Sequence, residues 1–158
     1  MWLAFKNIVF AIVVPGFVSG WLPVYIAGGF RTVRAFATPQ LIGSMVLAAG
    51  LTLMLAPIVY FGVVGRGTPA PFDPPQRLVI RGPHRYVRNP MYLGSVIASL
   101  GWSLWFESVP VAIYAGVCWL LYHLFVLLYE EPTLHRLFGA DYDAYRNRVR
   151  RWLPKVPR

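Results

Sequence analysis

The chain has 158 residues, 57% of them hydrophobic and only 13% charged, with 15 Lys/Arg against 6 Asp/Glu. A soluble domain carries about a quarter charged residues, so a water-covered globule is excluded and lipid must cover much of the surface. The lone cysteine, Cys118, excludes an internal disulfide and a cysteine-built metal centre, and no metal-ligand spacing occurs elsewhere.

The first apolar stretch runs from Ile8 to Phe30 and contains Pro15 and Pro23, which predict a kinked or broken helix. Lys6 before it gives it the look of a secretion leader, but no small-residue cleavage site follows and it reads as a retained span. A second stretch extends from about Pro39 to Gly65. The segment Gly65 to Pro75 is rich in glycine and proline and reads as an irregular loop. A third stretch, Met91 to Phe106, and a fourth, Pro110 to Tyr129, are joined only by Glu107-Ser108-Val109. Since a span needs about 20 apolar residues, this pair predicts a tight helical hairpin over 91–129. Small residues mark faces where helix backbones can approach in lipid: Gly16 with Gly20, Gly43 with Gly50, and Gly94 with Ala98 and Gly101.

Beyond Tyr129 the pattern changes. Leu134, Leu137, Phe138, Tyr142, Tyr145, Val149 and Trp152 recur at helical spacing with arginines between them, predicting an amphipathic surface segment. Gly139 suits the end of one helix and Asp141 the cap of a second. The predicted fold is therefore an all-α integral membrane domain spanning 1–158. It has about four transmembrane helices, with two N-terminal spans (1–65), a loop (66–90), the hairpin (91–129) and a C-terminal amphipathic segment (130–158).

Every cation except Arg31 and Arg34 falls on one side of such a four-span arrangement: Lys6, the loop arginines 66, 77, 81, 85 and 88, and the basic residues after Tyr129. The positive-inside rule then puts both termini, the loop and the tail in the cytoplasm. The same excess fits anionic lipid headgroups better than nucleic acid.

Two constellations can carry chemistry. Glu130-Glu131-Pro132 stands where the fourth apolar run ends. A residue before proline is pushed out of helical geometry, so the helix is expected to stop at Glu131. Acids are unfavourable at a helix C-terminus, by roughly 0.3–1 kcal/mol each, and more so beside lipid. Something cationic should sit there, whether loop arginines or a ligand. The second constellation is the run from Gly82 to Gly94, in which Asn89 is placed as an N-cap and Pro90 as the first helical residue. The backbone N–H groups of that turn, with Arg88, can receive an anion. Both constellations lie at one predicted membrane face, so a ligand bearing a carboxylate, an ammonium and a sulfonium suits the pair, as would other zwitterions. His123 lies seven residues before Glu130 and is expected on the same helix face, a histidine more simply explained by a helix–helix hydrogen bond.

The runs RGPHRYVRNPMYLG and LLYEEPTLHRLFGADYDAYRNRVRRWLP resemble the membrane methyltransferase superfamily of isoprenylcysteine carboxyl methyltransferases and phospholipid N-methyltransferases. The similarity covers Gln76 to Pro154. It implies S-adenosylmethionine as cofactor, held by Gln76, Arg77, Leu78, Val79, His84, Arg88, Asn89, Pro90, Met91 and Tyr92 and closed off by Glu130 and Glu131, with the segment 130–158 capping it. The implied partner is an amphiphilic, lipid-like or prenylcysteine-like methyl acceptor entering from the bilayer. Glu131, His84 and His123 are the candidate proton acceptors. Asn89 stands where the carboxyl methyltransferases have histidine, and Val126 where the eukaryotic ones place a substrate-binding arginine. A membrane reductase related to sterol reductases and a non-catalytic membrane scaffold are the alternatives.

Overall fold

A computed structural model describes residues 13, 15–30, 37–60 and 78–154. Within them, the chain opens with a π-turn, Phe17–Trp21, that runs into helix α1, Leu22–Ile26. Helix α2 covers Thr38–Tyr60 and a 3-10 turn covers Gly82–Arg85. Helices α3, Pro90–Phe106, and α4, Val109–Phe125, form the expected hairpin. A second π-turn, Val126–Glu130, leads into α5, Glu131–Arg148. Among the described residues the regular structure is helical, apart from one isolated parallel bridge between Val87 and Arg150. Helix α2 and the continuous helix beginning at Val109 are long and apolar enough to cross a membrane. At 1.5 Å per residue α3 is about 25 Å long, a little short of a bilayer core of about 30 Å.

The helix does not stop at Glu131. Its backbone stays helical (φ −62°, ψ −44°) and its N–H bonds to the Val126 carbonyl, five residues back. Proline 132 would otherwise collide with the carbonyl four residues before it, and the wider π-turn gives the ring room to continue the helix. The same device occurs at Pro23, where Leu22 donates to the Phe17 carbonyl. There the displaced carbonyls find side-chain donors. The Tyr114 hydroxyl donates to Val18 O at 2.7 Å, and Trp102 Nε1 to Ser19 O at 2.9 Å. The kink expected in the first apolar run is thus pinned to α3 and α4.

Helices α2 and α3 make the closest approach in the fold, and glycine permits it. A Cβ on Gly50 would lie 2.3 Å from Ala98 N, one on Gly94 2.4 Å from Met54 N, and one on Gly101 2.5 Å from Leu47 N. Gly43 faces Trp105 and Gly101 in the same way. The two predicted small-residue faces therefore meet each other. Gly16 and Gly20 do not take part, since no described atom lies within 4 Å of a Cβ at either position.

At the hairpin tip Glu107 adopts a left-handed conformation (φ 50°) that turns α3 into α4. Gln40 ties the start of α2 to this tip, donating to Trp105 O at 3.1 Å and to Glu107 Oε1 at 3.3 Å. Phe30, Trp102, Trp105 and Phe106 pack edge-on and stacked beside it, the composition of a membrane–water interface. At the opposite end α5 breaks at Gly139 (φ 48°, ψ −123°), as the sequence predicts. Its second half buries Tyr142 and Tyr145 with Val149 against Leu78, Leu134 and Phe138.

Replacing Gly50 by alanine forces a methyl group onto the α3 backbone. The substitution is expected to destabilise the protein in detergent by about 1–3 kcal/mol, while Gly20→Ala leaves thermal stability nearly unchanged. Equal effects at the two positions would show that the α2–α3 contact is not limiting.

Candidate functional site

The polar residues of the second half gather where α3 begins, α4 passes into α5, and the segment Val149–Trp152 returns. Asn89 occupies the N-cap position, but its side chain does not cap α3. Its Nδ2 donates instead to Arg151 O at 3.3 Å, while Arg88 N donates to Arg150 O at 2.9 Å. The returning segment thus lies along 87–89 and holds the entry to the helix. Pro90 is the first helical residue, so Met91 and Tyr92 carry first-turn N–H groups without a partner inside the helix.

The two adjacent acids have different surroundings. Glu131 makes a two-pronged ion pair with Arg151, from Nε to Oε1 at 2.7 Å and from Nη2 to Oε2 at 2.9 Å. Arg88 Nη1 lies 3.0 Å from the same Oε1 and donates to the Tyr142 hydroxyl at 3.3 Å. Glu130 points elsewhere. The Tyr92 hydroxyl donates to its carboxylate, and its Oε2 is buried without a hydrogen-bond partner among the described residues. Tyr92 is itself held by stacking on Tyr122, at 4.8 Å between ring centres, with Phe125 edge-on at 6.3 Å. From there hydroxyls continue into the apolar helices: Tyr122 to Ser95 at 3.0 Å and Ser95 to Ser19 at 2.7 Å.

His84 is buried in the 3-10 turn. Its Nδ1–H donates to Arg88 O at 3.2 Å, and its own carbonyl accepts from the Tyr145 hydroxyl at 2.8 Å. Burial lowers its pKa to about 4, against the smaller upward pull of the Arg88 carbonyl. The ring is therefore neutral at ordinary pH. His123 does not share its surroundings with Glu130, because the π-turn takes up an extra residue and changes the phase of the helix between them. Its Nδ1 accepts from Trp152 Nε1 at 3.0 Å and its ring stacks on Trp119. Leu78 lines a cavity of about 590 Å³ with Phe138, Tyr145 and Val149, and Val79 is buried. Gln76 and Arg77 lie outside the described residues. Val126, in the π-turn, is completely buried.

The structure brings His84, Arg88, Asn89, Tyr92, Glu130 and Glu131 into one region and sets His123 apart on Trp152. Sequence reasoning missed Arg151 and Tyr142 as members of this region. The signal for Arg151 was one cation among the many after Tyr129, with nothing in its spacing to separate it from lipid-facing arginines.

The depressed His84 pKa has a consequence for stability. In the unfolded chain the imidazole takes up a proton near pH 6.5, whereas the folded protein resists protonation down to about pH 4. Stability present above pH 6.5 is therefore lost as pH falls through that window, by roughly 3 kcal/mol in all. His84→Asn, which keeps a donor for Arg88 O, is expected to reduce the loss in thermal melts between pH 7 and pH 4; an unchanged acid profile would assign it to other groups.

Residues 38–141 match the family model described as "Phospholipid methyltransferase". The chain is 33% identical over 63 residues to an uncharacterized protein of Haemophilus influenzae, covering 40% of this chain and all of that protein. It is 32% identical over 81 residues to the protein-S-isoprenylcysteine O-methyltransferase of Schizosaccharomyces pombe, covering 51% of this chain and 34% of that enzyme. The chain thus spans about a third of the fission yeast enzyme. With two helices able to span a bilayer and a family match over most of its length, the chain belongs to the phospholipid methyltransferase family, whose members are S-adenosylmethionine-dependent membrane methyltransferases.

Proposed function

We propose that the protein transfers a methyl group from S-adenosylmethionine to a lipid-like amphiphile, at the cytoplasmic edge of a four-span membrane domain. One observation carries the reading: Glu130 Oε2 is a buried carboxylate oxygen with no hydrogen-bond partner among the described residues, close to the start of α3. A buried acceptor left unsatisfied costs about 1–3 kcal/mol, and more when charged, so it fits an ammonium group. The Tyr92 hydroxyl occupies the carboxylate from the other side and leaves Oε2 for a ligand. The first-turn N–H groups of Met91 and Tyr92 suit the ligand's carboxylate. The residues present therefore fit the amino-acid end of the cofactor.

When bound, S-adenosylmethionine supplies an electrophilic methyl group on a sulfonium. The protein's part is alignment and exclusion of water. Glu130 and the α3 entry fix the amino-acid end, while Leu78 and Val79 supply apolar wall. No covalent nucleophile is required. For an amine acceptor a proton must leave; burial keeps His84 unprotonated down to about pH 4 and two guanidiniums hold Glu131, so neither is set to receive it at ordinary pH. At Val126 there is no guanidinium for a substrate carboxylate, and the position is fully buried; this favours an acceptor that does not present one.

Purified protein in nanodiscs is expected to bind radiolabelled S-adenosylmethionine. Glu130→Gln should weaken binding by about 10- to 100-fold, the scale of a lost charged hydrogen bond. Undiminished binding by the variant would remove Glu130 from the site. Titration with NADPH separates the reductase alternative, which requires NADPH and not the methyl donor to bind. A scaffold binds neither.

A further inference from the structure

We propose that Glu131 is a positioning residue for the start of α3, so that the two adjacent acids divide their work: Glu130 meets the ligand and Glu131 holds the wall of the site. The proposal rests on the cofactor reading above. Both Glu131 oxygens are already engaged by Arg151, at 2.7 and 2.9 Å, and one of them also by Arg88, at 3.0 Å. Glu131 thus has little left to offer a second cation. What it does have is a short path to the α3 entry. Arg151, held by its guanidinium, presents its carbonyl to Asn89 Nδ2 at 3.3 Å. Its neighbour Arg150 presents its carbonyl to Arg88 N at 2.9 Å. Arg88, held by the same carboxylate, also reaches Tyr142 in α5.

The next residue of the returning segment is fixed independently, by Trp152 on His123. The segment is therefore tied at two successive side chains, one on each side of the π-turn. Asn89, released from capping its own helix, takes its orientation from this segment. Loss of the Glu131 carboxylate frees Arg151 and Arg88 together, and with them the turn that carries Asn89, Met91 and Tyr92. Such a change alters the binding surface as a whole. It does not remove one recognition contact.

Two probes separate the roles: S-adenosylhomocysteine, which carries the amino-acid end, and 5′-methylthioadenosine, which lacks it. Their dissociation constants are to be measured calorimetrically on the full-length protein in nanodiscs. Glu130→Gln is expected to weaken S-adenosylhomocysteine and leave 5′-methylthioadenosine unchanged. Glu131→Gln is expected to weaken both probes by a similar factor, roughly tenfold. Arg151→Ala should do the same, and the double variant should be no worse than either single one. Arg151→Lys, which keeps the charge but cannot make the two-pronged contact, gives a milder test should Glu131→Gln fail to fold; it too must weaken both probes. Selective loss of S-adenosylhomocysteine in the Glu131 variant, or additive losses in the double variant, overturns the positioning role and leaves the cofactor reading intact. Wild-type protein that binds neither probe overturns the cofactor reading and the proposal with it.

Discussion

The arrangement of the second half of the chain depends on one carboxylate shared by two guanidiniums. Glu131 stands where the apolar part of a long helix ends, with Arg88 arriving from the loop before α3 and Arg151 from the returning C-terminal segment. The side chains are 12–26% exposed, so water screens the charges only partly. Taking such ions out of water is expensive, and the attraction between them offsets the cost only when the geometry is good. The two-pronged contact of Arg151 meets that condition. A cluster of this kind adds little net stability compared with an apolar filling, yet removing one member leaves the others buried and uncompensated. Its contribution is to fix which segments adjoin.

The π-turn before Pro132 explains how neighbours in sequence can serve different purposes. Consecutive helical residues point about 100° apart, so Glu130 faces Tyr92 while Glu131 faces the arginines. The proline supplies the reason for the turn, since a straight α-helix would drive its ring into the Leu128 carbonyl. The turn in turn rotates everything before it relative to everything after it. His123 is thereby carried away from Glu130 and onto Trp152. Widened turns of this kind recur at functional sites. Here the physical cause is visible in a single residue, and the pairing of Leu22 with Pro23 repeats it.

Much of the architecture was legible in the sequence because it follows from local composition. The hairpin shows in two apolar runs separated by three residues, and Gly139 marks the break in α5 through the backbone freedom of glycine. The glycine faces of α2 and α3 were legible as stripes, but their partners were not. Gly16 and Gly20, four residues apart, pack on no described residue. Pro132 was misread as a stop, because the rule about residues before proline does not anticipate a π-turn. The candidate site was legible in part. The acids and the Asn89-Pro90 entry follow from helix-end chemistry, whereas the choice of Arg151 over its neighbours is a matter of tertiary register, which spacing does not encode.

That register also resolves an apparent conflict over the arginines. Counted along the chain, they read as topology signals that face lipid headgroups, an expectation that needs no site. Arg88 and Arg151 obey the same count and yet turn inward to Glu131. The two roles are compatible because both are electrostatic. A segment rich in cations is drawn to anionic headgroups, and the acids that follow α4 select among the cations by geometry. Once Glu131 has taken its two partners, Glu130 is left beside them, enclosed by Tyr92 and the π-turn, with an oxygen that no described group hydrogen-bonds. The unpartnered oxygen of Glu130 is therefore a by-product of how its neighbour is satisfied.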